Sequence, residues 1–129
     1  MNKLICIVCL GALSFHAYSK EVSSDQLVER DGIIYEIESG KLFSGTLVVY
    51  YKNVQLKVRS KHQDGQLNGI TEAFYENGQV QLRGKFKDGY TDGLWLIFDE
   101  DGNNSMHCHD AEEKGREIDL SYCRGPSHE

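Results

Sequence analysis

The densest group of reactive side chains is His107-Cys108-His109-Asp110, with Cys123 and His128 downstream. Imidazole nitrogen and thiolate sulfur are the ligand set of a tetrahedral zinc site. On a strand, alternate side chains point to opposite faces. His107 and His109 then share one face, Cys108 takes the other, and three adjacent ligands converge only across a kink. The two cysteines also have a competing chemistry, because thiols in an oxidising compartment pair. A Cys108–Cys123 disulfide closing a loop of about 15 residues is therefore expected, with no metal held. Parity complicates the pairing. Cys108 lies on the apolar side of its strand, whereas Cys123 has the parity of Glu117, Asp119 and Ser121. The chain must twist or end between Tyr122 and Cys123.

Other chemistry is sparse. Asp99-Glu-Asp101-Gly-Asn103-Asn104-Ser105 faintly resembles a calcium loop, but its sixth position is Asn104 and its twelfth is Asp110, where glycine and a bidentate glutamate are needed. A turn explains it better. There is no glycine-rich phosphate loop, no Gly-x-Ser-x-Gly elbow and no His-Glu-x-x-His. The remaining carboxylates sit at turns or among basic neighbours. No catalytic residue and no cofactor are expected, and a hydrolase or metal-dependent enzyme is the minor alternative.

Aromatic residues are the other informative set. Tyr50, Phe74 and Phe98 share one strand parity, and Tyr51, Tyr75 and Trp95 share the other. A sheet that buries one face places one row in its core and leaves the other as a stripe suited to protein contact. Alternatively both rows pack beneath Lys and Arg stems. Tyr51, Tyr75 and Trp95 are thus candidate partner-binding residues, joined by the acidic Asp110, Glu112 and Glu113.

The elements that must position these residues form a repeat. Gly45, Gly69 and Gly93 are 24 residues apart; Asp64-Gly65 and Asp88-Gly89 keep that interval, as do Asn77-Gly78 and Asp101-Gly102. Aligned without gaps, 45–68 and 69–92 share Gly45/Gly69, Tyr51/Tyr75, Asn53/Asn77, Gln55/Gln79, Arg59/Arg83, Lys61/Lys85, Asp64/Asp88 and Gly65/Gly89. A fixed period of this size marks a repeat architecture. Each unit reads as a β-hairpin. Its first strand (46–52, 70–76, 94–100) is aromatic and β-branched, and Asn77-Gly78 and Asp101-Gly102 are two-residue hairpin turns. The second strand alternates, with Leu56 and Val58, then Val80 and Leu82, on one side and Lys57, Arg59, Gln81 and Arg83 on the other. In the first unit the turn is Asn53-Val54, and a β-branched residue resists positive φ, so a different or strained turn is expected there. Gln26–Arg30 and Ile33–Glu38 flank Asp31-Gly32 as a lead-in hairpin. Ile118, Leu120 and Tyr122 suggest a last strand covering the sheet edge, and 111–114 at most a helical turn. The expected fold is all-β, a curved antiparallel meander of nine or ten strands.

A glycine opening each unit, an aromatic pair before Asn-Gly and a following Lys-x-Asp-Gly-like turn resemble the MORN repeat variant found in bacterial YwqK-type antitoxin-component proteins. The likeness covers about residues 27–102, carried by Gly69 to Gly78, Gly93 to Gly102, Arg30 to Tyr35 and Leu42 to Gly45; Val54 and the residues after Gly102 depart from it. It implies a hairpin array working as a protein-binding antitoxin or immunity factor.

The N-terminus carries Lys3, an apolar stretch from Leu4 to Leu13 and Ala17-Tyr18-Ser19, the pattern of a secretory signal peptide. The stretch is about half of what a membrane span requires. Cys6 and Cys9 lack the preceding small residue that lipidation needs. Cleavage after Ser19 would leave 110 of the 129 residues and a net charge of -7. Residues 20–98 carry 11 acidic and 10 basic groups; 99–129 carry 9 and 3. The domain plan is therefore a cleaved leader (1–19), a repeat body (20–102) and an acidic, disulfide-closed cap (103–129). A net-acidic chain disfavours nucleic acid as a partner. The expected setting is the bacterial periplasm or the exterior, without membrane insertion. The expected partner is a protein, for instance a basic toxin covered by occlusion; a structural envelope module binding peptidoglycan, glycan or a membrane complex is the alternative.

Overall fold

The computed structural model describes residues 20–109 and 123–124. Among the described residues eleven strands run in chain order: β1 (Glu21–Ser23), β2 (Leu27–Arg30), β3 (Ile33–Glu36), β4 (Gly45–Tyr50), β5 (Leu56–Gln63), β6 (Gln66–Phe74), β7 (Val80–Lys87), β8 (Tyr90–Thr91), β9 (Leu94–Phe98), β10 (Asn104–His109) and β11 (Cys123–Arg124). A 3-10 turn, Ser24–Gln26, follows β1. The main sheet is open, ordered β1-β4-β5-β6-β7-β9-β10-β11, with β8 also on β7. The fold is all-β, as the alternation of side-chain types requires.

Two departures from a single antiparallel meander have physical causes. β2 and β3 form a two-stranded sheet of their own. β1 joins the main sheet parallel to β4, making that sheet mixed. Parallel neighbours need a long crossover, and the β2–β3 hairpin lies within it. Val22 of β1 is 4% exposed, so three residues suffice to seal the edge with an apolar side chain. Close approach is permitted by Gly45, whose Thr46 neighbour donates N–H to the Lys20 carbonyl at 2.8 Å. A Cβ on Gly45 would stand 2.6 Å from that oxygen.

At the other end the sheet extends past residue 102, where the sequence pattern runs out, because β10 pairs with β9. The expected leader at 1–19, the helical turn at 111–114 and the strand through Ile118, Leu120 and Tyr122 lie outside the described residues. The described part of β11 is Cys123–Arg124.

The turns divide into two kinds. Asp31-Gly32, Asp64-Gly65 and Asp88-Gly89 all have positive φ at both residues (49° to 52° for Asp, 77° to 83° for Gly), the geometry of two-residue type I′ hairpins. The Asn-Gly turns are not of this kind. Gly78 N–H donates to Tyr75 O at 3.0 Å and Tyr75 N–H to Gln79 O at 2.8 Å, which defines a three-residue loop with only Gly78 left-handed. Tyr51, Val54 and Gln55 make the same two bonds, and so do Asp99, Gly102 and Asn103. Three hydrogen-bonded copies of one turn therefore sit 24 residues apart.

Val54 is forced into that turn with φ 61° while 84% exposed. It gains little from burial and carries the strain of a β-branched residue in left-handed backbone. Val54→Gly should therefore stabilise the protein by about 1 kcal/mol, the relieved strain less the extra entropy of an unfolded glycine. Urea denaturation at neutral pH measures it, and a loss of stability would show that this loop is held by contacts of the valine itself.

Strand register sorts the side chains onto two faces. One carries Val22, Leu47, Val58, Ser60, Thr71, Leu82, Gly84, Trp95, Ile97, Met106 and Cys108. Its centre is Phe86, Trp95 and Cys108, with Leu67, Leu82, Ile97 and Met106 packed around them. Phe86 meets the Trp95 ring edge-on, centroids 5.0 Å apart at 77°, an arrangement that favours the aromatic pair electrostatically. A second nucleus lies where Phe43, fully buried, meets His62 at 5.6 Å.

Candidate binding surface

The aromatic candidates part company in the structure. Tyr51 donates its hydroxyl to Phe74 O at 2.7 Å, and Tyr75 does the same to Phe98 O at 2.8 Å. Asn53 Nδ2 reaches Glu76 O at 3.3 Å and Asn77 Nδ2 reaches Glu100 O at 2.9 Å. Both tyrosines are half-buried, and their polar ends tie each hairpin to the next. Lys57 Nζ lies 5.4 Å from the Tyr51 ring centroid. Trp95 belongs elsewhere. At 2% exposure it is core, above Gly84 and beside Cys108 on the apolar face. Counting strand parity joined it to the tyrosines, but they stand at the turn and answer to its hydrogen bonds, not to the sheet alternation. Of the two aromatic rows it is Tyr50, 52% exposed, that faces solvent. Asp110, Glu112 and Glu113 lie outside the described residues.

The other face of the sheet is built of charge. On β5 it carries Lys57, Arg59 and Lys61, and on β7 Arg83, Lys85 and Lys87, with Glu72 and Ile70 of β6 between the rows. Glu72 is 7% exposed. Arg59 Nη2 donates to its Oε1 at 2.8 Å, while Arg83 donates Nε and Nη2 to Oε2 at 2.9 and 2.6 Å. Four lone-pair directions thus meet three charge-assisted donors. Burial acts to raise the Glu72 pKa and is the largest single influence on it. The bonds and charges of Arg59 and Arg83 together outweigh burial and hold the carboxyl below its ordinary value. The sequence held two of the triad's three residues in view, since Arg59/Arg83 is among the repeat identities. Glu72 has no equivalent one unit away, Val48 and Leu96 taking its place, and so escaped notice.

The remaining chemical candidates are engaged in structure. The register sets Cys108 directly opposite Cys123, and Cys108 is 1% exposed. His107 Nε2 lies 2.7 Å from Asn104 Nδ2. Asp99 Oδ1 accepts the N–H groups of Asp101 and Asn103 at 3.0 and 2.9 Å, which are a turn's own bonds. Among the described residues no three His, Cys, Asp or Glu side chains gather as a metal set. His62 lines a cleft with Glu29, Ile34, Gln66 and Leu67. Its Nδ1 lies 3.2 Å from Ser60 O, and burial lowers its pKa against the pull of that carbonyl. This imidazole therefore packs as a neutral ring on Phe43. Compared with protein-family models, with curated proteins and with solved structures, the chain finds no match.

Proposed function

We propose that this chain is a non-enzymatic, exported bacterial protein of tandem 24-residue β-hairpins, resembling the MORN repeat variant, that binds another protein through its open sheet. The observation that carries the reading is the charged face. Arg59 and Arg83 both donate to Glu72 across three strands, and the flanking lysines are exposed. The bonds to Glu72 preorganise the two arginines for recognition, because less of their side-chain entropy remains to be lost on contact. Antitoxin or immunity action by occlusion is the form the family resemblance supplies. A basic toxin would have to be met by the acidic C-terminal residues, since the described face has the opposite sign.

Export implies a processed N-terminus and an oxidised Cys108–Cys123 pair. The direct cross-strand register supports the pair, because opposed Cα atoms in antiparallel strands lie within disulfide reach. Mass mapping of protein recovered from the periplasm should give a chain starting at Lys20, one disulfide and no free thiol. A stoichiometric zinc ion with two free thiols would reverse the assignment. Capture of partners from periplasmic extract, read by mass spectrometry, tests the function itself. One stoichiometric protein partner is the expected result. Recovery of peptidoglycan or glycan without such a partner would replace this reading with a structural envelope module.

A further inference from the structure

We infer that the charged face is a docking site for a short, extended acidic segment of a partner protein, one bearing Asp or Glu at alternate positions. The inference rests on the binding-protein reading above and specifies its surface. Six of the ten basic residues between 20 and 98 stand on this one face, in two rows of three. Alternate residues on a strand are spaced about 7 Å apart, and β5 and β7, separated by β6, run about 10 Å apart. An extended peptide has the same spacing, so its alternate carboxylates meet successive cations of a row in register. Glu72 does not spoil this complementarity, because it is buried and already bonded to both arginines.

Two features select a short acidic peptide over other polyanions. Acidic turns bound the rows: Asp64 and Asp88 follow their C-terminal ends, and Glu76 lies at the opposite rim beside Glu100 and Asp101. A continuous polyanion must cross one of these rims, whereas a segment of three or four acidic residues ends before them. Single-stranded nucleic acid also binds through rings on which its bases stack. Here the space between the rows holds Ile70, 47% exposed, and Glu72. An exposed isoleucine with lysines on either side suits the apolar side chain of a peptide. The Lys61 stem already lies along Gly69, one residue away, as the 3.2 Å from its Cβ and Cδ to a Cβ built there shows.

The test uses the purified full-length secreted chain and a fluorescein-labelled nine-residue peptide of alternating Glu and Thr. A peptide of the same composition with its Glu residues in one block, a sulfated heparin oligosaccharide and oligothymidylate serve as comparisons. The alternating peptide should bind best at low salt and weaken steeply as salt rises. The Lys61→Glu, Lys85→Glu double variant should weaken it at least tenfold with an unchanged circular dichroism spectrum and melting curve; these two exposed lysines take no part in the Glu72 triad. Equal binding by the blocked peptide, tighter binding by heparin or oligothymidylate, or an unaffected double variant would each overturn the proposal. Should the double variant still capture the periplasmic partner at full strength, the binding reading stands and this face is not its site.

Discussion

Gly84→Ala should destabilise this protein by about 4 kcal/mol, a large effect for the addition of one methyl group. Gly84 lies on the apolar face of β7, paired with Thr71, and the Trp95 indole covers it. A Cβ at position 84 would collide with the indole at Cδ2, Cε2 and Cε3. Only a far end of a flexible side chain yields cheaply to such an intrusion, and this is a fused ring that is 2% exposed and wedged against Phe86 and Cys108. The indole must leave its place, so the cost approaches that of truncating a buried tryptophan, about 3–5 kcal/mol. The melting temperature should fall by more than about 10 °C. A double-mutant cycle with Trp95→Leu separates the clash from any loss of strand pairing. If the clash governs, the alanine should cost far less once the indole is gone. An alanine accepted within about 0.5 kcal/mol in the wild-type background would mean that the indole is not seated on Gly84.

This contact also shows how far the sequence could be read. Alternation and Asp-Gly turns are local properties, and they located the strands from β4 to β7 because each of these pairs with its sequence neighbour. Gly84 breaks no local rule. It sits one repeat before Cys108 and one after Ser60, three small residues on one rung, but its purpose emerges only when β9 is laid beside β7. β1 was hidden for the same reason, since three residues in a parallel pair leave no periodic trace. The Asn-Gly loops were legible as turns but not as three-residue turns, because the same dipeptide serves both geometries and only the bond from Tyr75 N–H to Gln79 O distinguishes them. Trp95 was misplaced where strand parity was carried across a turn that resets it.

The charged face follows a different logic, since there the sequence showed the parts without their centre. Arg59 and Arg83 recur at the repeat interval as any solvated cation could. Glu72 turns them into a structure, and the pH dependence of stability is where that should be seen. In the wild type the two arginines hold the Glu72 pKa below its ordinary value. A lowered folded-state pKa contributes stability that is present above the unfolded pKa of about 4.3 and lost as pH falls through the folded value. Acidification should therefore weaken the wild type at this site. Replacing both arginines with methionine keeps much of the apolar stems and removes the partners, leaving burial as the main influence on Glu72, so that its folded pKa rises above the unfolded one. The sign then inverts: in the variant this group opposes folding at neutral pH and ceases to do so as pH falls through the raised value. Removing the partners of a buried carboxylate costs about 3–5 kcal/mol, and the lower end, about 3 kcal/mol, applies because the two arginine side chains are 43% and 49% exposed and water already screens the triad. Urea denaturation at pH 7, 5 and 3.5 should show the wild-type advantage near that size at pH 7 and shrinking as Glu72 protonates in both proteins. Glu72→Gln, which keeps the shape and loses the charge, should lie between them at pH 7. A difference between wild type and the double methionine variant that stays constant with pH would trace the stabilisation to the arginine stems packed on the sheet, and the carboxylate would then be a passenger.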